Sequence, residues 1–60
     1  MEKGDIVISF KASADFFKAG DKAALIRKGE DGYWWGDFSI NDEYYGDGEW
    51  CIGREGVDFA

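Results

Sequence analysis

The sequence predicts an all-β fold in which five short strands close into one small barrel over residues 1–60. Three observations carry that prediction. The chain is too short for a large interior, since a domain of this size buries only about 60% of the surface its unfolded chain exposes. It holds five Phe, three Trp and three Tyr, which supply much apolar area per residue. It shows no covalent or metal staple: one Cys forms no internal disulfide, and one Cys with no His argues strongly against a structural zinc site. Period-two segments separated by Gly-Asp and Asp-Gly turns complete the pattern.

The first strand reads as residues 5–11. Ile6, Ile8 and Phe10 alternate with Val7, Ser9 and Lys11, and the bulkier set is expected to face inward. Residues 12–19 are too short for a free helix. Ser13 or Asp15 could cap a single helical turn, but an excursion that folds Phe16 or Phe17 back onto the core is preferred. Gly20-Asp21 ends it as a turn.

The second strand is expected over 22–28, with Ala24 and Ile26 on one side and Ala23, Leu25 and Arg27 on the other. Gly29-Glu-Asp-Gly32 is a loop. The third strand, 33–40, is the most aromatic stretch of the chain and the one around which the others are arranged. Trp34, Phe38 and Ile40 share its core side; Tyr33, Trp35 and Asp37 share the other. Gly36 marks a place where another group passes close to the backbone. Residues 41–48 form a turn-rich connection with Asp47-Gly48 as a hairpin signal. The fourth strand is expected over 49–53 and a fifth over 57–60, with Arg54-Glu55-Gly56 as the turn between them. The expected core is Ile6, Ile8, Ile26, Trp34, Phe38, Ile40 and Val57.

Three local patterns resemble the SH3-like family of small barrels. Phe17-Lys18-Ala19-Gly20-Asp21-Lys22 resembles that family's Phe-x-x-Gly-Asp diverging turn. Asp31-Gly32-Tyr33-Trp34-Trp35-Gly36 is similar to its Asp-Gly-Trp-Trp-x-Gly, and Ile52-Gly53-Arg54-Glu55-Gly56-Val57 to its Gly-x-x-Gly-Leu/Val approach to the last strand. The resemblance spans roughly residues 16–60. It implies a five-stranded SH3-like barrel and a stand-alone module of bacterial or phage type. The family's Ala-Leu-Tyr-Asp-Tyr opening and Pro-Ser-Asn-Tyr closing motifs are missing, its first long loop is short, and Tyr33 stands where its ligand-facing Trp would be. The proline-peptide groove is therefore not implied.

Charge and composition narrow the function. The net charge is −6: residues 1–28 carry +2, and residues 29–60 carry −8. Such a balance argues against a nucleic-acid partner and for a basic or mixed protein or peptide. No stretch approaches the roughly 20 apolar residues of a membrane span, and the Met-Glu-Lys-Gly-Asp start lacks a leader pattern. The chain reads as a complete cytoplasmic protein, a monomer or weak homodimer, with no cofactor and no metal.

Chemistry is sparse. Without His, the Ser–His and Cys–His nucleophile pairs cannot form. Cys51, between Trp50 and Ile52, reads as a small buried hydrophobe. The many carboxylates lack a concave site to work in, and Asn41, Asp42, Glu43, Asp47 and Glu49 do not match an EF-hand loop. No enzyme is expected. The rings left over from the core are the lead: Tyr33, Trp35, Tyr44 and Tyr45 either pack together under the 41–48 loop or form a binding face, bordered by Glu30, Asp31 and Asp37. Acids beside rings suit a ligand bearing Arg or Lys. The rival expectation is a small acidic phage-type inhibitor whose surface imitates nucleic acid and blocks a host protein.

Overall fold

The computed structural model describes residues 1–13, 16–42 and 48–60. They form an all-β fold. Four strands, β1 (Ile6–Ile8), β2 (Lys22–Lys28), β3 (Trp34–Asp37) and β4 (Glu49–Gly53), make an antiparallel sheet in chain order. The Cα radius of gyration is 10.0 Å, about the value expected for a packed chain of this length. No helix among the described residues is long and apolar enough to cross a membrane.

β2 and β4 occupy the expected residues. The other strands are shorter. β1 covers Ile6–Ile8 rather than 5–11, because Ser9 leaves the ladder to open the excursion that returns at Gly20 and Asp21. The described ends of that excursion meet: Ser13 N–H donates to Phe17 O at 2.9 Å, and the two residues bridge. Asp15 lies outside the described residues. Phe17 folds back as expected and stacks on Phe38 with ring centroids 4.3 Å apart. The Lys18–Asp21 turn is closed twice, by Asp21 N–H on Lys18 O and Lys18 N–H on Asp21 Oδ2, each 3.0 Å.

β3 ends at Asp37 rather than at residue 40. The Asp37 carboxylate accepts Ser39 N–H at 2.9 Å and turns the chain out of the sheet. Asn41 then makes the connection back to β2. Its Oδ1 accepts Lys22 N–H at 2.9 Å, and its Nδ2 donates to Lys22 O at 2.7 Å and to Phe38 O at 2.8 Å.

The segment 57–60 is not a strand of the sheet. It meets the residue just after β1 at an isolated bridge, Ser9 to Phe59. Phe10 N–H donates to Asp58 O and Ile8 N–H to Ala60 O, each 2.8 Å, and Ala60 N–H returns to Ile8 O at 3.2 Å. The ladder stops there because Asp58 N–H is committed to Arg54 O within the preceding turn, at 2.9 Å.

The core is Val7, Phe17, Ala23, Leu25, Trp34, Phe38, Ile52 and Phe59, with Trp50 packed against it. Trp34 and Phe38 face inward as expected. Ile6, Ile8, Phe10, Ile40 and Val57 do not; Ile6 is 58% exposed, Phe10 54% and Val57 60%. Ile26 is half-buried beside the bulge between Leu25 and Arg27. The reason for the reversal in β1 is volume. Four large rings already fill a small interior packed at crystal-like density. The strands crossing them present small side chains: Val7 pairs with Ala23, and Leu25 with Gly36. A Cβ at Gly36 would stand 2.9 Å from that of Ala23. Ser9 tolerates burial because its hydroxyl donates to Lys11 O at 2.8 Å.

Candidate functional site

Two register shifts build the outward side of β3. Gly36 pairs with Leu25 of β2, and regular antiparallel pairing would set Arg27 against Trp34, on the core side. A bulge after Leu25 instead sets Arg27 against Trp35. On the other edge, Trp35 pairs with Cys51, yet Trp34 pairs with Gly53, leaving Ile52 as the extra residue. The chain continues from Gly53 so that Arg54 reaches Tyr33. A bulge commonly re-aims a side chain in this way.

The result is a pair of capped rings. The Arg27 guanidinium lies 4.6 Å from the centroid of Trp35, and that of Arg54 lies 5.6 Å from the centroid of Tyr33. Tyr33 is 37% exposed and Trp35 half-buried. Each contact is within cation–π range and contributes about 0.5–1 kcal/mol at an exposed site. Neither arginine forms an ion pair among the described residues. On the core side, Lys28 Nζ lies 5.9 Å from the centroid of Trp34.

The expected site residues are only partly brought together. Trp35 and Asp37 share the outward side of β3, with Glu49 paired to Asp37, and Tyr33 immediately precedes the strand. Asp31 borders Tyr33, but its carboxylate accepts Tyr33 N–H at 3.0 Å and so helps to shape the turn. Glu30 is exposed in the same loop. Tyr44 and Tyr45 lie outside the described residues. Sequence reasoning missed Arg27 and Arg54, the chain's two arginines. The available signal was Gly53, a glycine interrupting a strand pattern, which often marks a bulge.

Asp58 anchors Arg54 from behind. Its Oδ2 accepts Arg54 N–H at 2.7 Å, and its Oδ1 lies 3.6 Å from Lys11 Nζ. The Arg54 backbone bond, aided by the Lys11 charge, holds this carboxyl below its ordinary pKa against the opposing effect of burial. Among the described residues, no group of His, Cys, Asp and Glu is placed to hold a metal ion. Cys51 is a half-buried free thiol opposite Trp35.

Fold and face together define a small all-β domain whose outward aromatic residues are covered by its own arginines. Comparison with models of known protein families, with curated proteins and with solved structures finds no match.

Proposed function

We propose that this protein is a non-catalytic binding module that lays an extended protein or peptide segment of mixed charge across Tyr33 and Trp35. The observation that carries the reading is the pairing of these rings, Trp35 on the outward side of β3 and Tyr33 immediately before it, each already seated against a guanidinium. Held rings lose little side-chain freedom on binding, and Tyr, Trp and Arg are the residues most enriched at binding hot spots. The absence of His leaves no nucleophile–base pair of the usual kind, so the reading is non-catalytic.

The same reading takes the domain as a five-stranded SH3-like barrel. The hydrogen bonds from residues 8–10 to residues 58–60 support closure along the edge of β1 that β2 leaves open. Hydrogen exchange tests it: the amides of Ile8, Phe10 and Ala60 should be protected as well as those of β2. Exchange at the rate of exposed amides would remove the barrel.

The test of function is capture. Tyr33→Ala and Trp35→Ala should keep the fold and lose partners that the wild type retains from host lysate. If both variants retain the same proteins, the face is wrong. Binding that survives Trp35→Ala and collapses with added salt would instead favour an acidic inhibitor imitating nucleic acid.

A further inference from the structure

We propose that the outward face of β3 selects an extended polypeptide segment of the pattern acid-x-acid-x-base. The inference rests on the binding-module reading and adds the charge order of the partner. It reverses the expectation that acids around the rings choose a cationic ligand at Tyr33 and Trp35.

The observation is an ordered row of charge along one strand. Tyr33 with Arg54 stands first, immediately before β3, Trp35 with Arg27 second, and Asp37 third. Successive positions on one face of a strand are about 6.6–6.8 Å apart, and an extended ligand presents its side chains toward the sheet at the same spacing. Side chains i, i+2 and i+4 of such a ligand therefore fall on the three positions in turn.

The ring faces are already met by the protein's own cations. A ligand Lys or Arg approaching Tyr33 or Trp35 would have to displace a guanidinium and would be repelled by it. A guanidinium stacked on a ring keeps its N–H edge free, and that edge matches a carboxylate in a bidentate pair. The chain uses each of its two arginines this way, and each reaches its ring through a bulge. At the third position the sign changes, because Asp37 is the next outward residue of β3 and carries a carboxylate, one oxygen of which accepts Ser39 N–H. That end prefers a base. It also limits the run of negative charge the face accepts, which favours a short mixed segment over a polyphosphate backbone in a chain of net charge −6.

The probe is a capped heptapeptide, Thr-Glu-Thr-Glu-Thr-Lys-Thr, titrated into the full chain at low salt while amide, arginine Nε–H and Trp35 indole signals are followed by NMR. The inverted peptide, Thr-Lys-Thr-Lys-Thr-Glu-Thr, is the control. The first should give saturable shifts at Tyr33, Trp35, Arg27 and Arg54. Arg27→Gln with Arg54→Gln, checked for an unchanged amide spectrum elsewhere, should weaken it about tenfold or more, and the lysine pair should restore only part of the loss. If the inverted peptide binds this face as tightly, the charge order is overturned while the binding module stands. If neither peptide binds but Trp35→Ala still abolishes capture from lysate, the charge order is again overturned. If neither binds and Trp35→Ala captures as the wild type does, both readings fall. Equal shifts from a short oligothymidylate, or a dimer in sedimentation that Arg27→Glu dissociates, would assign the face to a polyanion or to a second copy and overturn the proposal.

Discussion

Gly53, the last residue of β4, and Gly56, in the turn that follows, both have positive φ, at 109° and 79°. Replacing each with alanine separates two costs that usually arrive together. At Gly56 an added Cβ meets nothing within 4 Å. Gly56→Ala therefore pays only the backbone strain of a left-handed residue, about 1–2 kcal/mol. At Gly53 the added Cβ would lie 2.5 Å from Asp58 Cγ and 2.6 Å from Asp58 Cβ, and closer still to Oδ2. Asp58 must move, and its 2.7 Å bond to Arg54 N–H goes with it. A hydrogen bond to a charged group is worth about 1.5–3 kcal/mol, so Gly53→Ala should cost about 2.5–5 kcal/mol in all. A domain this small is stable by only about 3–5 kcal/mol, which leaves the variant near its midpoint in water. The assay is urea unfolding followed by tryptophan fluorescence. Added sucrose keeps the weaker variant folded, and unchanged slopes confirm a pure stability change. Values for the two variants within about 0.5 kcal/mol of each other would refute the reasoning, since Asp58 would then yield without cost.

Two further outcomes follow from the same geometry. The folded pKa of Asp58 is lowered, so its charge contributes stability above the unfolded value of about 3.9, and that contribution is lost as pH falls through the lower folded value. The gap in urea midpoint between wild type and Asp58→Asn should hold from pH 7 to about pH 5 and narrow by pH 2.5; a gap independent of pH would contradict the charge argument. Asn41→Ala removes three hydrogen bonds to Lys22 and Phe38, at about 0.5–1.5 kcal/mol each. It should lower stability by about 2–4 kcal/mol by chemical denaturation, and a loss under about 0.5 kcal/mol would show that water replaces the side chain.

Much of the local structure was legible. The limits of β2 and β4, the inward placement of Trp34 and Phe38, the return of Phe17 and the turn at Gly20-Asp21 all follow from period-two patterning and turn chemistry. So does the sharing of one face by Trp35 and Asp37, because alternation along a single strand needs no partner to define it. Asn41 was read only as part of a loop, since its bonds reach back 19 residues to Lys22. Tyr44 and Tyr45 fall outside the described residues.

The chain by itself determined that the fold is β, where β2 and β4 lie and which side chains travel together on each strand. Only the tertiary structure decided which side of β1 is the interior. Both sides of that strand are apolar enough, and the choice went to Val7 and Ser9 because the rings of Phe17, Trp34, Phe38 and Phe59 leave room for nothing larger. It likewise decided that Arg27 meets Trp35 and Arg54 meets Tyr33. Those meetings depend on bulges, and a bulge belongs to two strands in register and not to either strand's own residues.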